Sequence, residues 1–354
     1  MKGPESQTAL VVAQSTALVR KAAAKLAKRG LGELWLLESA EEWFERAKSA
    51  KSKNQLIEFF ECLQRTVALD PEHTDGLDLL GMAYHDGIGT LRDQVAAVEY
   101  FQRAAESGHA EAQYHLGLVY DYGHGVARDQ AEAAAWERKA AEQGHTGAQY
   151  RLAGSYYWGN GVPKSRFQAC AWYRKAAEQN HAPSQYELAR MYKDLYNNAL
   201  QLAKAEKITE NLAEAAFWFR KAANHGHEDA QFSLSFTIQE GGVIQDRAEA
   251  LSWLRKAAEQ GHDTAQRCLG EKYFYGDGMP RDRNKAVEWY RKAADKGNCA
   301  ALYNLARMYS EREDVYRDLA QAAHWYRKVV DCGHCDDEEA KSWLAKYAES
   351  EEGA

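Results

Sequence analysis

No run of 18 apolar residues occurs in this 354-residue chain, so no segment is built to cross a bilayer as a helix. Proline is scarce, five in all, and none falls where a helix interior is expected. With abundant Ala, Lys, Glu and Leu, that scarcity points to an all-α protein. A basic surplus is also missing: 45 Lys and Arg against 52 Asp and Glu leave a net charge of −7. A general nucleic-acid binder is excluded on that ground, because phosphate contacts need a basic surface. The segment ALVVAQSTALV (9–19) is the one stretch like a secretory leader, but Gln14, Ser15 and Thr16 interrupt it and no clear cleavage site follows. A cytoplasmic protein is therefore expected. No serine-nucleophile motif, P-loop or carboxylate pair in a unique setting appears, so no enzyme, no cofactor and no bound metal are expected.

What is present is an octet. RKAAEQGH stands at 138–145 and again at 255–262, with near-copies ending at His109, His181, His227, Asn298 and His334. Successive copies are 36, 36, 46, 35, 36 and 36 residues apart, and a fixed period in this range marks a helical repeat array. Nine residues before each octet end stands Tyr100, Trp136, Trp172, Trp218, Trp253, Trp289 or Trp325. Seven residues earlier stands Asp93, Asp129, Ser165, Asn211, Asp246, Asp282 or Asp318, each able to accept from free N–H groups at a helix start. The penultimate octet residue is Gly108, Gly144, Asn180, Gly226, Gly261, Gly297 or Gly333, types that tolerate the left-handed backbone closing a helix. Each unit therefore holds a helix of about 14 residues, and the octet's Lys and Arg suit the negative end of its dipole.

A second helix precedes it. In AEAQYHLGLVYDYGHG (110–125), Ala112, Leu116, Gly117 and Tyr120 share a face, and the register repeats at Leu152, Leu188 and Leu305. GHGV (123–126), GNGV (159–162) and GDGM (276–279) join the two helices; they follow a helix, not a strand, so a phosphate cradle is not expected.

The unit AEAQYHLGLVYDYGHGVARDQAEAAAWERKAAEQGH resembles the Sel1-like repeat, a relative of the tetratricopeptide repeat. The resemblance covers residues 75–334 as seven units: 75–109, 110–145, 146–181, 182–227 with a ten-residue insertion, 228–262, 263–298 and 299–334. It implies a right-handed α-solenoid of antiparallel helix pairs whose first helices line a concave groove, and a role as adaptor rather than catalyst. Some bacterial relatives pair two cysteines within each repeat; no such pairing is expected here. Residues 1–74 are expected to form an N-terminal helical cap, with an amphipathic helix at 31–50 and a tetratricopeptide-like closing helix in 55–74. Residues 335–354 are expected to form a C-terminal cap helix and acidic tail, since terminal units must cover an apolar face. The insertion KDLYNNALQLAKAEKITE (193–210) is expected to extend the first helix of its unit; a tolerated insertion is the plainer reading, and a docking element that offers Leu195, Tyr196 and Leu200 is the sharper one.

Cys332 and Cys335 form a CGHC sequence, but zinc needs four ligands and no second pair stands nearby. His109, His145, His181, His227, His262 and His334 share one repeat position, which makes them turn residues and not catalysts. By analogy with tetratricopeptide geometry, the groove should present Tyr114, His115, Arg151, Tyr157, Trp158, Arg190, Arg267, Tyr275, Asn304 and Arg307. Arg, Tyr and Trp dominate binding hot spots, and the arginines would suit an acidic peptide. The expected function is non-enzymatic: a regulator or inhibitor, of bacterial type, that holds a partner protein or peptide in this groove, itself a monomer within a hetero-complex. The alternative is an assembly or membrane-peripheral scaffold acting through the basic N-terminal stretch TALVRKAAAKLAKRG (16–30), and a third reading is a metal- or thiol-dependent enzyme using Cys332 and Cys335.

Overall fold

The computed structural model describes residues 39–201, 205–239, 246–310, 318–333 and 338–352. The expected basic stretch 16–30, His334, Cys335 and the loop EGGV (240–243) lie outside them. Among the described residues every regular element is an α-helix, seventeen in all. The fold is an α-solenoid of helix pairs, and the chain divides into two compact units, Met1–Arg166 and Phe167–Ala354.

The first unit holds α1 (Ala40–Ser52), α2 (Leu56–Leu69), α3 (Thr74–Asp86), α4 (Gln94–Glu106), α5 (Ala110–Tyr122), α6 (Gln130–Glu142) and α7 (Thr146–Trp158), each packed against the next in sequence. The second holds α8 (Arg166–Glu178), α9 (Ala182–Gln201), α10 (Ala205–Asn224), α11 (Glu228–Thr237), α12 (Arg247–Gln260), α13 (Asp263–Tyr275), α14 (Arg283–Asp295), α15 (Cys299–Ser310), α16 (Leu319–Cys332) and α17 (Glu338–Glu352). The helix expected over 31–50 begins at Ala40. Ser39 accepts from the Glu42 N–H while Glu42 Oε2 accepts from the Ser39 N–H, a reciprocal cap that fixes the start.

The repeat caps form as the sequence requires at most positions. Asp93, Asp129, Asp246, Asp282 and Asp318 each accept from the backbone of their helix's first turn. Asn211 does not: it lies inside α10, because KITENLAEAA offers no break and the helix runs through it. The ten extra residues are thus divided between both helices of their unit, α9 and α10 each reaching 20 residues, and not placed in the first helix alone. Gly108, Gly144, Asn180, Gly226, Gly261, Gly297 and Gly333 all take the left-handed backbone, with φ between 63° and 107°.

The octet is scaffold, and each part has a partner. Its Lys covers the Trp three residues earlier: Lys139, Lys175, Lys256, Lys292 and Lys328 hold Nζ 3.5, 3.9, 4.0, 4.0 and 4.5 Å from the ring centre. Its Arg reaches the next first helix: Arg138 donates to Tyr156 Oη (2.7 Å) and Arg291 to Tyr309 Oη (3.0 Å). Its histidine caps that helix through Nδ1, which accepts from Ala112, Ala148, Ala230 and Ala265 N–H in turn. Buried glutamines that the sequence reading passed over, Gln113, Gln149, Gln185, Gln231 and Gln266, donate to carbonyls of the preceding second helix. Each amide adds a second donor to a carbonyl that already accepts the N–H of the closing Gly or Asn, so the buried helix end is tied to the next helix.

The GxG loops pack against backbone. A Cβ built on Gly125 would lie 2.2 Å from the Gln94 carbonyl oxygen, and on Gly161 1.9 Å from that of Gln130, so only glycine fits. Cys299 and Cys332 form a disulfide with Cα atoms 6.4 Å apart, which corrects the expectation that no repeat pairs its cysteines. Cys299 opens α15 and Cys332 closes α16. In an antiparallel pair the start of one helix lies beside the end of the other, a juxtaposition that repeat-to-repeat spacing does not reveal.

Candidate functional site

The aromatic row of the first helices is packing. Tyr114, Tyr186 and Phe232 stack on the capping histidines His145, His227 and His262, with ring centres 4.6, 4.6 and 4.5 Å apart. Tyr114 is partly buried, and that burial pushes its phenol up.

Polar residues in the first unit break the row. Asp78 occupies the aromatic position one repeat before Tyr114 and is buried. His115 donates from Nδ1 to its carboxylate at 2.8 Å. Burial alone would lower the His115 value, but the bond and charge of Asp78 override it and the net direction is upward. Glu137, 1% exposed, takes the place that Phe101, Tyr173, Phe219, Leu254, Tyr290 and Tyr326 hold elsewhere. Arg151 answers it, with Nε 2.6 Å from Glu137 and a terminal nitrogen 2.7 Å from Asp121. Burial pushes the Glu137 carboxyl up against the pull of Arg151, and the guanidinium is raised in turn. Arg151 is a structural cation in a closed network.

The other sequence-selected residues divide similarly. In the second unit Arg267 pairs with Glu271, and the Asn304 amide lies 3.5 Å from the same carboxylate. Arg190 is exposed and meets Glu187 at 3.1 Å. Arg307 donates to Tyr275 Oη at 3.2 Å and lies over Phe274. Tyr196 is buried with Lys193 over its ring, while Leu195 and Leu200 are exposed.

What remains open is aromatic. Tyr122, Trp158 and Tyr275 end α5, α7 and α13 at one repeat position, immediately before Gly123, Gly159 and Gly276, and are 59%, 66% and 65% exposed. Tyr157 meets Trp158 edge to face at 4.8 Å. The second unit adds an open pocket of about 440 Å³ lined by Tyr186, Arg190, Lys193, Phe219, Phe232 and Phe236. Sequence reasoning selected Trp158, Tyr275 and Arg190 but missed Tyr122, Lys193 and Phe236. The signal for Tyr122 was there, since it is the same last-turn position in register.

Successive two-helix units with periodic caps define a helical repeat protein of the α-solenoid class. The Sel1 repeat model matches residues 20–52, 75–109, 110–145, 146–181, 182–227, 228–262, 264–298 and 299–334, and the chain belongs to the Sel1 repeat family. The match at 20–52 adds an eighth repeat to the seven expected. Members of this family generally act as scaffolds for protein–protein interaction and are generally non-enzymatic.

The chain is similar to a protective antigen of uropathogenic Escherichia coli strains with an SLR fold, at 31% identity and a TM-score of 0.76, over 92% of this chain and 66% of that one. It therefore spans just under two-thirds of that relative's length. It is also similar to a Sel1 repeat protein from Oxalobacter formigenes, at 27% identity and a TM-score of 0.66, over 96% of this chain and 93% of that one. No curated protein matches the chain. No described helix is long and apolar enough to cross a membrane.

Proposed function

We propose that this chain captures a partner protein or peptide through exposed aromatic side chains on the first helices of its repeats and thereby regulates it, without catalysing a reaction. The observation that supports this reading is the set Tyr122, Trp158 and Tyr275. Tyr114, Tyr186 and Phe232 are spent on the capping histidines, whereas these three stand largely in solvent at one register position. Large rings with a polar edge supply contact area at low entropic cost, which is why they dominate binding hot spots. Tyr157 stands beside Trp158 in the first unit, and Arg190 and Arg307 are the candidates of the second; Arg151 and Arg267 serve the scaffold, so an acidic peptide gripped by four arginines is the weaker version of the idea.

The disulfide bears on the setting. Disulfides persist in oxidising compartments and are rare where cellular thiols are kept reduced, so Cys299–Cys332 favours a non-cytoplasmic setting over the cytoplasmic one expected from the sequence. It also engages the Cys332 thiol that the third, enzymatic reading required to be free.

The test is affinity capture from the native organism with the full chain and with a Tyr122→Ala, Trp158→Ala, Tyr275→Ala triple variant, quantified by mass spectrometry. A protein retained by the parent and depleted at least tenfold by the variant, at unchanged helix content, supports the reading. Identical capture profiles overturn it.

A further inference from the structure

His85 and His124 belong to no repeat row. His85 is the penultimate residue of α3, where the next two units have Asp121 and Tyr157. His124 is the central residue of its GxG loop, where the neighbouring loops carry Ile88 and Asn160. Neither caps a helix, yet the fold brings their rings together. His85 Nε2 lies 3.1 Å from His124 Nδ1, with ring centres 5.2 Å apart and planes at 42°.

The surroundings fix both rings. His85 donates from Nδ1 to Asp86 Oδ1 at 2.7 Å, which places its proton on Nδ1 and turns the Nε2 lone pair toward His124. A carboxylate behind an imidazole is the usual outer partner of a metal-ligating histidine. The Tyr122 ring stacks on His124, with centres 5.6 Å apart and planes at 26°. Both histidines are partly exposed.

We propose that His85 and His124 form a two-imidazole site for a divalent late-transition cation, Zn²⁺ being the probe of choice. Metal–nitrogen bonds of about 2.05 Å place two neighbouring imidazole nitrogens about 2.9 Å apart at a right angle and about 3.4 Å apart in a tetrahedron. The observed 3.1 Å lies inside that window. Two imidazoles select Zn²⁺, Ni²⁺ or Cu²⁺ over the oxygen-seeking Mg²⁺ and Ca²⁺. Among the described residues no third His, Cys, Asp or Glu completes the set, so the site lacks the four protein ligands of a structural zinc centre and holds its cation weakly and reversibly.

The competing account is a proton between the same two nitrogens. Calorimetric titration of the metal-stripped full chain with Zn²⁺ separates the two. We expect one equivalent of Zn²⁺ that His85→Ala and His124→Ala each weaken at least tenfold, and that Asp86→Asn weakens about tenfold through loss of the outer partner. His225→Ala, an exposed histidine of a distant repeat, should bind as the parent does. Circular dichroism of each variant establishes that it is folded. Absence of Zn²⁺ binding, or binding unchanged by His85→Ala and His124→Ala, overturns the site and leaves a hydrogen-bonded pair.

Discussion

His145 joins two repeats through one ring: Nδ1 accepts from the Ala148 N–H at 3.0 Å, and Nε2 lies 3.0 Å from Glu111 Oε2, 34 residues earlier. His109 with Asp75 and His262 with Asp229 repeat the arrangement, and Asn298 reproduces it with an amide, Oδ1 toward Ala301 and Nδ2 toward Asp263. At these four positions the octet's last residue is both a helix cap and a tie to the previous unit.

His145→Ala should cost about 0.5–2 kcal/mol of unfolding free energy, the range for losing an N-cap. His145→Asn should restore most of it, because Asn298 already performs both tasks in this chain. Urea denaturation of the three proteins checks the order.

The network at Glu137 makes a sharper forecast. Arg151→Met leaves a carboxylate buried without its cation, and removing one partner of a buried pair costs about 3–5 kcal/mol. Glu137→Phe combined with Arg151→Met should recover most of that loss, since Phe101 and Tyr290 fill this position in other repeats and Gly117 leaves room for a ring, as Gly81 and Gly270 do for them. A double variant no more stable than Arg151→Met alone would contradict the account.

His115 sets a pH dependence. Its value is raised in the folded chain, so its contribution is fully present below the ordinary imidazole range and fades as pH climbs through the raised value. The stability difference between the parent and His115→Gln should accordingly be larger at pH 6 than at pH 9. Urea midpoints across that interval measure it.

The disulfide should matter most to the last repeat. A closed loop of this size contributes about 3–4 kcal/mol on the chain-entropy scale. Cys299→Ser should therefore expose α15 and α16 to amide exchange earlier than the parent, with the first unit unaffected. A 2 Da mass change on reduction of the isolated protein establishes that the bond is present.

The loop glycines should tolerate nothing larger. Gly161→Ala combines a left-handed backbone with a methyl pressed on the Gln130 carbonyl, and should destabilise by at least 1–2 kcal/mol in thermal denaturation.

Much of this was legible in order of residues. Asp caps, closing glycines and Leu registers are local requirements, each met within a few residues, so periodicity alone placed nearly every helix of the array. Asn211 shows the limit: a good capping residue caps only where the backbone breaks, and that depends on whether the flanking sequence continues the helix. Exposure at Trp158 and Tyr275 was legible too, because they fall off the packed register.

The linear order determined the fold class, the repeat boundaries and the scaffold role of the octet, since each rests on short-range hydrogen bonding repeated at a constant interval. Only the tertiary structure decided that Arg151 is tied to Glu137 and Asp121, which cysteines meet and that His85 faces His124. Those are encounters between residues some 14 to 39 apart, set by how helices stack, and no local pattern encodes them.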